Sequence, residues 1–310
     1  MCKPDDSIHG SIAATINSVK IAIYIVVAII VIVLVLGLRL AALSFRAERA
    51  DYVRTAPSAI SRHPERTGIP GLAEISFADA SGHRLAGWYA PSRNRAAIVL
   101  VHGTGVDRSS LLFETGFLAE AGFGVLAFDL PGQGASEGRT RWGVPERQAI
   151  SAAVDWLSAR TDVDPQRIGG FGSSMGAYVM TQAAVLDPRL RAVTLAASPN
   201  DVVEQNWLAT DDWGLLTQIP NYLALRAYGQ SLDMMPKDVI GKIAPRPVFI
   251  IGGELDELVP KYMVLQLYAA AGDPKELWIV PHAQHVDYGQ VAADEYRTRV
   301  TEFFKRSLSQ

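Results

Sequence analysis

The chain has 310 residues, 49% apolar and 20% charged, with 29 Lys and Arg against 32 Asp and Glu for a net charge of -3. That apolar content is enough for a sizeable core and excludes a wholly disordered chain, while the near-neutral balance lacks the basic face a nucleic-acid binder needs. A single cysteine, Cys2, excludes both an internal disulfide framework and a cysteine-based zinc cluster.

The apolar excess is concentrated near the start. Residues 1–20 form a tail, and from Ile21 to Leu38 there are 18 residues without a charge, bounded by Lys20 and Arg39. At 1.5 Å per residue this run is about 27 Å long as a helix, close to the thickness of a bilayer core. With the apolar Leu40–Leu43 added, the sequence predicts a transmembrane helix over 21–43. A cleaved signal peptide is the rival reading, but its apolar core is normally shorter and precedes a small-residue cleavage site. A buried soluble helix would not be apolar on every side. Lys3 and Lys20 precede the uncharged run, and Arg39, Arg46, Arg49 and Arg54 follow it. The positive-inside rule therefore leans toward a cytoplasmic C-terminal domain.

Residues 44–70 mix charge with Pro57, Pro64 and Pro70 and read as a juxtamembrane linker with room for one short helix at its start. From residue 71 onward, short apolar runs alternate with helical patterns. Leu72–Ala78 and Leu85–Ala90 read as a hairpin turned at Ser81 and Gly82. Continuous apolar strands follow at Ala96–Val101, Gly124–Phe128, Arg167–Phe171, Ala192–Ala197, Pro247–Ile251 and Glu276–Val280. Helical stretches lie between and after them, at about 109–122, 145–160, 175–186, 260–271 and 291–306. This alternation predicts a mostly parallel sheet with both faces covered, and reactive groups in the loops beyond the carboxyl ends of the strands.

One such loop reads GSSMG over residues 172–176, between a strand and a helix. G-x-S-x-G in that setting is a nucleophile elbow: the turn pushes the hydroxyl of Ser174 out of the sheet, and the glycines remove side chains that would collide with neighbouring backbone. Ser173 occupies the x position and points elsewhere. The loop after the third strand reads HGTG from His102, and the loop after the fourth reads DLPGQGAS from Asp129 to Ser136. Together these motifs resemble the α/β-hydrolase superfamily over residues 71–310, closest in look to the serine hydrolase branches described as Bem46-like or serine aminopeptidase-like.

The resemblance implies an eight-stranded, mostly parallel α/β sheet with helices on both faces and a helical lid. It also implies a catalytic triad in the chain order Ser, acid, His. The loop GGELDELVP from Gly252 matches the family's G-x-x-D-x-x-V-P and assigns the acid to Asp256, with Glu254 and Glu257 as rivals. The loop PHAQHVD from Pro281 assigns the base to His285, with His282 as its rival; Pro281 and His282 depart from the small residues common there. The backbone N–H groups of Thr104 and Met175 are the expected oxyanion hole, and His102 is expected to hold its loop rather than react.

Residues 199–246 exceed the usual loop length and fall where the family places a lid. Trp207, Trp213 and Tyr222 make an apolar wall the candidate substrate-binding surface, or else simply bury the lid on the body. The resulting expectation is a membrane-anchored serine esterase acting on an apolar, lipid-like acyl substrate without metal or organic cofactor. A peptidase, an acyltransferase and a catalytically silent binding module are the alternatives. If the apolar run spans a bilayer, the protein stays in the membrane pellet after a high-pH carbonate wash; release into the supernatant would refute the span.

Overall fold

Strands Ala97–Val101 (β3), Gly124–Phe128 (β4), Ile168–Ser173 (β5) and Val248–Gly253 (β7) are buried at every position. Leu190–Ala196 (β6) is buried at all but Arg191. Strands apolar without interruption need cover on both faces, and a parallel sheet flanked by helices supplies it. Along β3, Ala97, Val99 and Val101 enter one core layer, and Ile98 and Leu100 the other, as the two-residue period of a strand requires. The remaining strands sit toward the edges. Ala73–Ala78 (β1) and Lys275–Val280 (β8) are the two edge strands, and both are largely half-buried or exposed. Arg84–Ala90 (β2) lies between β1 and β4.

The computed structural model describes residues 16–39, 57–60, 62–209, 222–223, 225–226, 230 and 232–309. Its eight strands are ordered β1-β2-β4-β3-β5-β6-β7-β8. β1 pairs with β2 and β2 with β4 in antiparallel register, and every other pairing is parallel. Val101 of β3 stands opposite Phe128 of β4 on one side and Gly172 of β5 on the other. That register brings the loops of all three strands to one rim.

Helices cover both faces. Val144–Ser158 (α3), Met175–Leu186 (α4) and Lys261–Ala270 (α6) pack their buried side chains into one layer. Leu112–Glu120 (α2) and Ala293–Ser307 (α7) pack into the other, where Phe117, Tyr296, Val300, Phe303 and Phe304 are buried. Val202–Ala209 (α5) begins the segment between β6 and β7, which continues through short turns at Pro236–Val239 and Ile240–Ile243. This agrees with the helical character expected of the lid, although most of residues 210–231 falls outside the described residues.

Ile16–Arg39 forms a single apolar helix (α1) of 24 residues with its side chains exposed, long and apolar enough to cross a membrane. It starts five residues before the apolar run. Asn17, Ser18 and Lys20 are polar but helix-compatible, so hydropathy marks where a bilayer could begin rather than where the helix does. Residues 40–43 of the expected span and the expected helix at the start of the linker lie outside the described residues. The linker's one described helical element is a 3-10 turn at Pro64–Arg66.

Elsewhere the expected boundaries shift at motif ends. β5 and β7 run two residues further than their apolar runs, because Gly172, Ser173, Gly252 and Gly253 still pair in the ladder. The stretch at 109–122 divides into a 3-10 turn, Arg108–Leu111, and α2; the stretch at 291–306 divides into a turn at Tyr288–Val291 and α7.

Phe304 is fully buried and packs between Phe123 and Phe303 at ring distances of 6.4 and 5.2 Å. Phe304→Ala is expected to remove about 3–5 kcal/mol of stability, read as a lower urea midpoint for loss of the aromatic circular-dichroism signal.

Candidate active site

β5 ends at Ser173 and α4 begins at Met175, so Ser174 alone makes the turn between them. Its backbone lies at φ 54°, ψ -120°. A non-glycine residue in that region costs on the order of 1–3 kcal/mol and persists only where its surroundings impose it. Here the Ser174 N–H donates to the Ala196 carbonyl at 2.8 Å. The neighbouring glycines are required by close approach: a Cβ on Gly176 would sit 2.1 Å from the Val101 carbonyl oxygen, and one on Gly172 would sit 2.4 Å from the Gly176 oxygen. The elbow is therefore wedged against the end of β3.

His285 lies in the loop after β8, and Asp256 in the loop after β7. His285 Nε2 is 3.0 Å from Ser174 Oγ, and Nδ1 is 2.8 Å from Asp256 Oδ2. A carboxylate can only accept, so Nδ1 carries the imidazole proton and Nε2 presents a lone pair to the serine hydroxyl. Asp256 Oδ1 accepts from the N–H groups of Leu258 (2.9 Å) and Val259 (2.8 Å). The Asp256 side chain has no solvent exposure, whereas the His285 side chain keeps 20%. Three donors satisfy the buried carboxylate, and the imidazole faces an opening.

The rival residues are placed elsewhere. Glu254 accepts from the His282 N–H at 3.0 Å, and the His282 ring is 85% exposed. The two rivals thus meet each other, away from the serine. Glu257 is exposed. Ser173 completes β5 and pairs opposite Ala196 in the sheet.

The loop over the serine is held from both sides. Gly103 passes so near the elbow that a Cβ there would lie 3.1 Å from the Ser174 Cβ. His102, fully buried, accepts the Leu130 N–H at Nε2 (3.0 Å) and donates from Nδ1 to the Gly103 carbonyl (2.7 Å). Burial pushes its pKa down, consistent with this neutral tautomer. The Gly105 N–H donates to Gln133 Oε1 at 3.2 Å. Thr104, between these clamps, has a buried hydroxyl with no hydrogen-bond partner. Met175 places its side chain in the core while its backbone opens α4, beside the nucleophile.

His102 holds this loop as expected, and the structure adds Asp129 and Arg108 as a second brace that no motif pointed to. Arg108 and Asp129 are buried and paired, Asp129 Oδ1 also accepts the Arg108 N–H at 2.8 Å, and Oδ2 accepts the Ala135 N–H at 2.8 Å. Ser136 Oγ donates to the Asp129 carbonyl at 2.7 Å and accepts the Ala86 N–H at 2.9 Å. The DLPGQGAS segment is thus a brace for the loop after β3. Its signal in the sequence was an aspartate at a strand end with no catalytic partner in the motif order.

Of the expected substrate-binding residues, Tyr222 is an exposed helical residue that no hydrogen bond or ring contact ties to the triad among the described residues. Trp207 lies on α5, but its side chain is outside the described residues, as is all of Trp213. No group of His, Cys, Asp and Glu among the described residues could hold a metal ion.

An elbow serine, a loop packed over it and a mostly parallel eight-stranded sheet define an α/β hydrolase. The sequence profile of the prolyl oligopeptidase family (peptidase S9) matches residues 109–310, and the chain belongs to that family. It is 33% identical over 247 residues to an uncharacterized protein of Mycobacterium tuberculosis, covering 76% of this chain and 81% of that one. It is 27% identical to the uncharacterized protein YfhR of Escherichia coli over the same shares. Among solved structures it resembles the Pyrococcus furiosus esterase Pf2001 (25% identity, TM-score 0.67, 79% of this chain and 96% of that one). It also resembles the α/β hydrolase GrgF of Penicillium (22% identity, TM-score 0.65, 77% and 99%).

Removing one partner of a buried ion pair leaves the other charge uncompensated, at about 3–5 kcal/mol. Arg108 would retain Glu74, 3.2 Å away and largely exposed, so Asp129→Ala is expected to lower the unfolding free energy from urea titration by an amount approaching that, well beyond the effect of Glu137→Ala at an exposed ion pair on the same loop.

Proposed function

We propose that this α/β hydrolase is a membrane-anchored serine hydrolase that cleaves a carboxylic ester or thioester through an acyl-serine intermediate. The observation that carries this reading is the pair of contacts at His285, 3.0 Å to the Ser174 hydroxyl and 2.8 Å to the Asp256 carboxylate. A serine hydroxyl is a weak nucleophile until an adjacent base takes its proton, and the base works in one tautomer, which the carboxylate selects.

In the proposed reaction, Ser174 Oγ attacks the acyl carbon as its proton passes to His285 Nε2. The N–H groups of Thr104 and Met175 receive the oxyanion; removing one such donor typically costs about 3–4 kcal/mol of transition-state stabilisation. Collapse expels the alcohol or thiol, which takes the proton from His285. Water then enters, gives a proton to the same nitrogen and attacks the acyl-serine; collapse releases the acid as Ser174 Oγ takes that proton back from His285. Asp256 orients the ring and offsets the charge of the imidazolium. No metal or organic cofactor enters these steps.

An apolar acyl chain is the proposed specificity. The sequence of the segment that follows β6 carries Trp207, Trp213 and Tyr222, residue types that suit an apolar acyl group, and the apolar helix α1 would keep the site near lipid. The excess of arginine after α1 points the domain toward the cytoplasm. The family's name suggests a peptidase, which uses the same groups. A relative 22% identical is named a polyketide transferase, so transfer of the acyl group to an acceptor other than water is the other reading. Product analysis with an added alcohol separates transfer from hydrolysis.

A fluorophosphonate probe is expected to label the wild type and not Ser174→Ala. Asp256→Ala should lose about 10³–10⁴ in kcat on p-nitrophenyl esters with the fold intact, while Glu257→Ala stays near wild type. Equal labelling of wild type and Ser174→Ala, or a loss at Glu257 instead of Asp256, would overturn the assignment. Aminoacyl-anilides cleaved faster than every ester would favour the peptidase.

A further inference from the structure

Outside α1, five of the thirteen exposed large apolar side chains among the described residues lie in the segments that carry or adjoin the triad. Leu255 and Leu258 flank Asp256 and are 53% and 58% exposed. Val286 follows His285 directly, Val106 lies two residues beyond Thr104, and Tyr262 opens α6; each is at least 40% exposed. All five belong to loops or helix starts after the carboxyl ends of β3, β7 and β8. Apolar side chains scattered singly need no explanation, but a cluster on one end of a domain marks an interaction surface.

A second observation says what covers it. The chain leaves α1 at Arg39 and is next described at residue 57. Residues 40–57 could reach about 60 Å if fully extended, so length alone would let any side of the domain face the bilayer. Where the chain lands nevertheless singles out one side. The Ser58 N–H donates to Asp107 Oδ2 at 2.6 Å, and Ser58 Oγ is 2.8 Å from Ser109 Oγ. Asp107 is buried and stands three residues after Thr104, in the loop that passes over Ser174. The polypeptide coming from the membrane helix is thus fastened to the same rim that carries the triad and the exposed apolar residues.

We infer that the triad-bearing rim of the sheet docks on a lipid surface, with Val106, Leu255, Leu258 and Val286 entering the headgroup boundary, so that the site takes its acyl substrate from the bilayer. Interfacial protein segments of this kind bury their apolar side chains about 5–10 Å into that boundary. Glu254 and Glu257 lie among these residues and are exposed, as are Lys261 and His282. The mixed charge suits a zwitterionic surface rather than an anionic one. The inference deepens the proposed ester hydrolysis and rests on it and on α1 spanning the membrane.

The test uses the full chain in phosphatidylcholine vesicles. Cys2 is the sole cysteine, so Cys2→Ser gives a background for single probes at Leu258→Cys and Val106→Cys, with Gln166→Cys before β5 as the control on the opposite rim. An environment-sensitive fluorophore is expected to be quenched by spin-labelled lipid about twofold or more at 258 and 106 and to be unaffected at 166, as burial of the rim in the interface requires. In parallel, Val106→Ser/Leu255→Ser should hydrolyse a soluble short-chain ester like wild type, which also reports folding, and lose about tenfold on a vesicle-embedded long-chain ester. Equal quenching at all three positions, or none at 258 and 106, overturns the inference. So does a spectral shift at 258 that follows protein concentration without lipid quenching, which would mean that a second copy covers the patch. Equal losses on both esters would overturn it as well. Fluorophosphonate labelling of Ser174 keeps the outcomes apart: labelling without quenching rejects the docking alone, and quenching without labelling rejects the hydrolase reading alone.

Discussion

The elbow at Ser174 is the constraint on which the other features depend. One residue with positive φ must turn the chain from β5 into α4, and the turn is so tight that Gly176 rests on the Val101 carbonyl. A hydroxyl presented this way needs no rotation of the sheet to meet its partners. They have only to arrive from the ends of neighbouring strands. The strain is borne by the burial of β5 at every position and of α4 from Met175 to Ala184, which packs the turn from both sides. A rigid, close-packed core is what allows a costly local conformation to persist.

Around the elbow the protein uses hydrogen bonds as braces more than as chemistry. His102 and Gln133 clamp the loop over the serine, Asp129 and Arg108 fix where that loop becomes a helix, and two backbone N–H groups hold Asp256. These braces are buried or partly buried, where a broken bond leaves an unpaired group and costs more than it would in water. His285 is the contrast: it stays partly open at the rim, as the role of base proposed for it requires. The same rim receives the chain from α1 through Ser58 and Asp107, so the geometry of the braces and the path of the tether converge on one end of the domain.

Legibility in the sequence followed the strength of local patterns. The central strands could be read because apolar runs of five or six residues have few other uses, and Gly124–Phe128 was legible to the residue. The ends of β5 and β7 were missed because glycine and serine carry no apolar signal even when they pair in a ladder. Among the site residues, Ser174 was legible from a motif that sterics impose. For the acid and base the family motifs singled out one residue in each loop and left near neighbours as rivals. Distance separates them, since Glu254 and His282 meet each other and Asp256 and His285 meet the serine. Arg108 could not be read as a partner of Asp129, because their 21-residue separation in the chain carries no periodicity.

What the sequence by itself determined was whatever depends on short spacing: the apolar helix α1, the alternation of strand and helix that predicts a mostly parallel sheet, and the serine elbow. Tertiary structure decided the rest. It chose which carboxylate and which imidazole come within 3.0 Å of their partners, which face of each helix is buried, and where the chain from α1 is fastened. The physical reason is range. Steric and periodic constraints act over a few residues and leave a mark in the order of the chain, whereas hydrogen bonds such as those joining residues 174, 256 and 285 become geometric facts only after the sheet has aligned the ends of its strands.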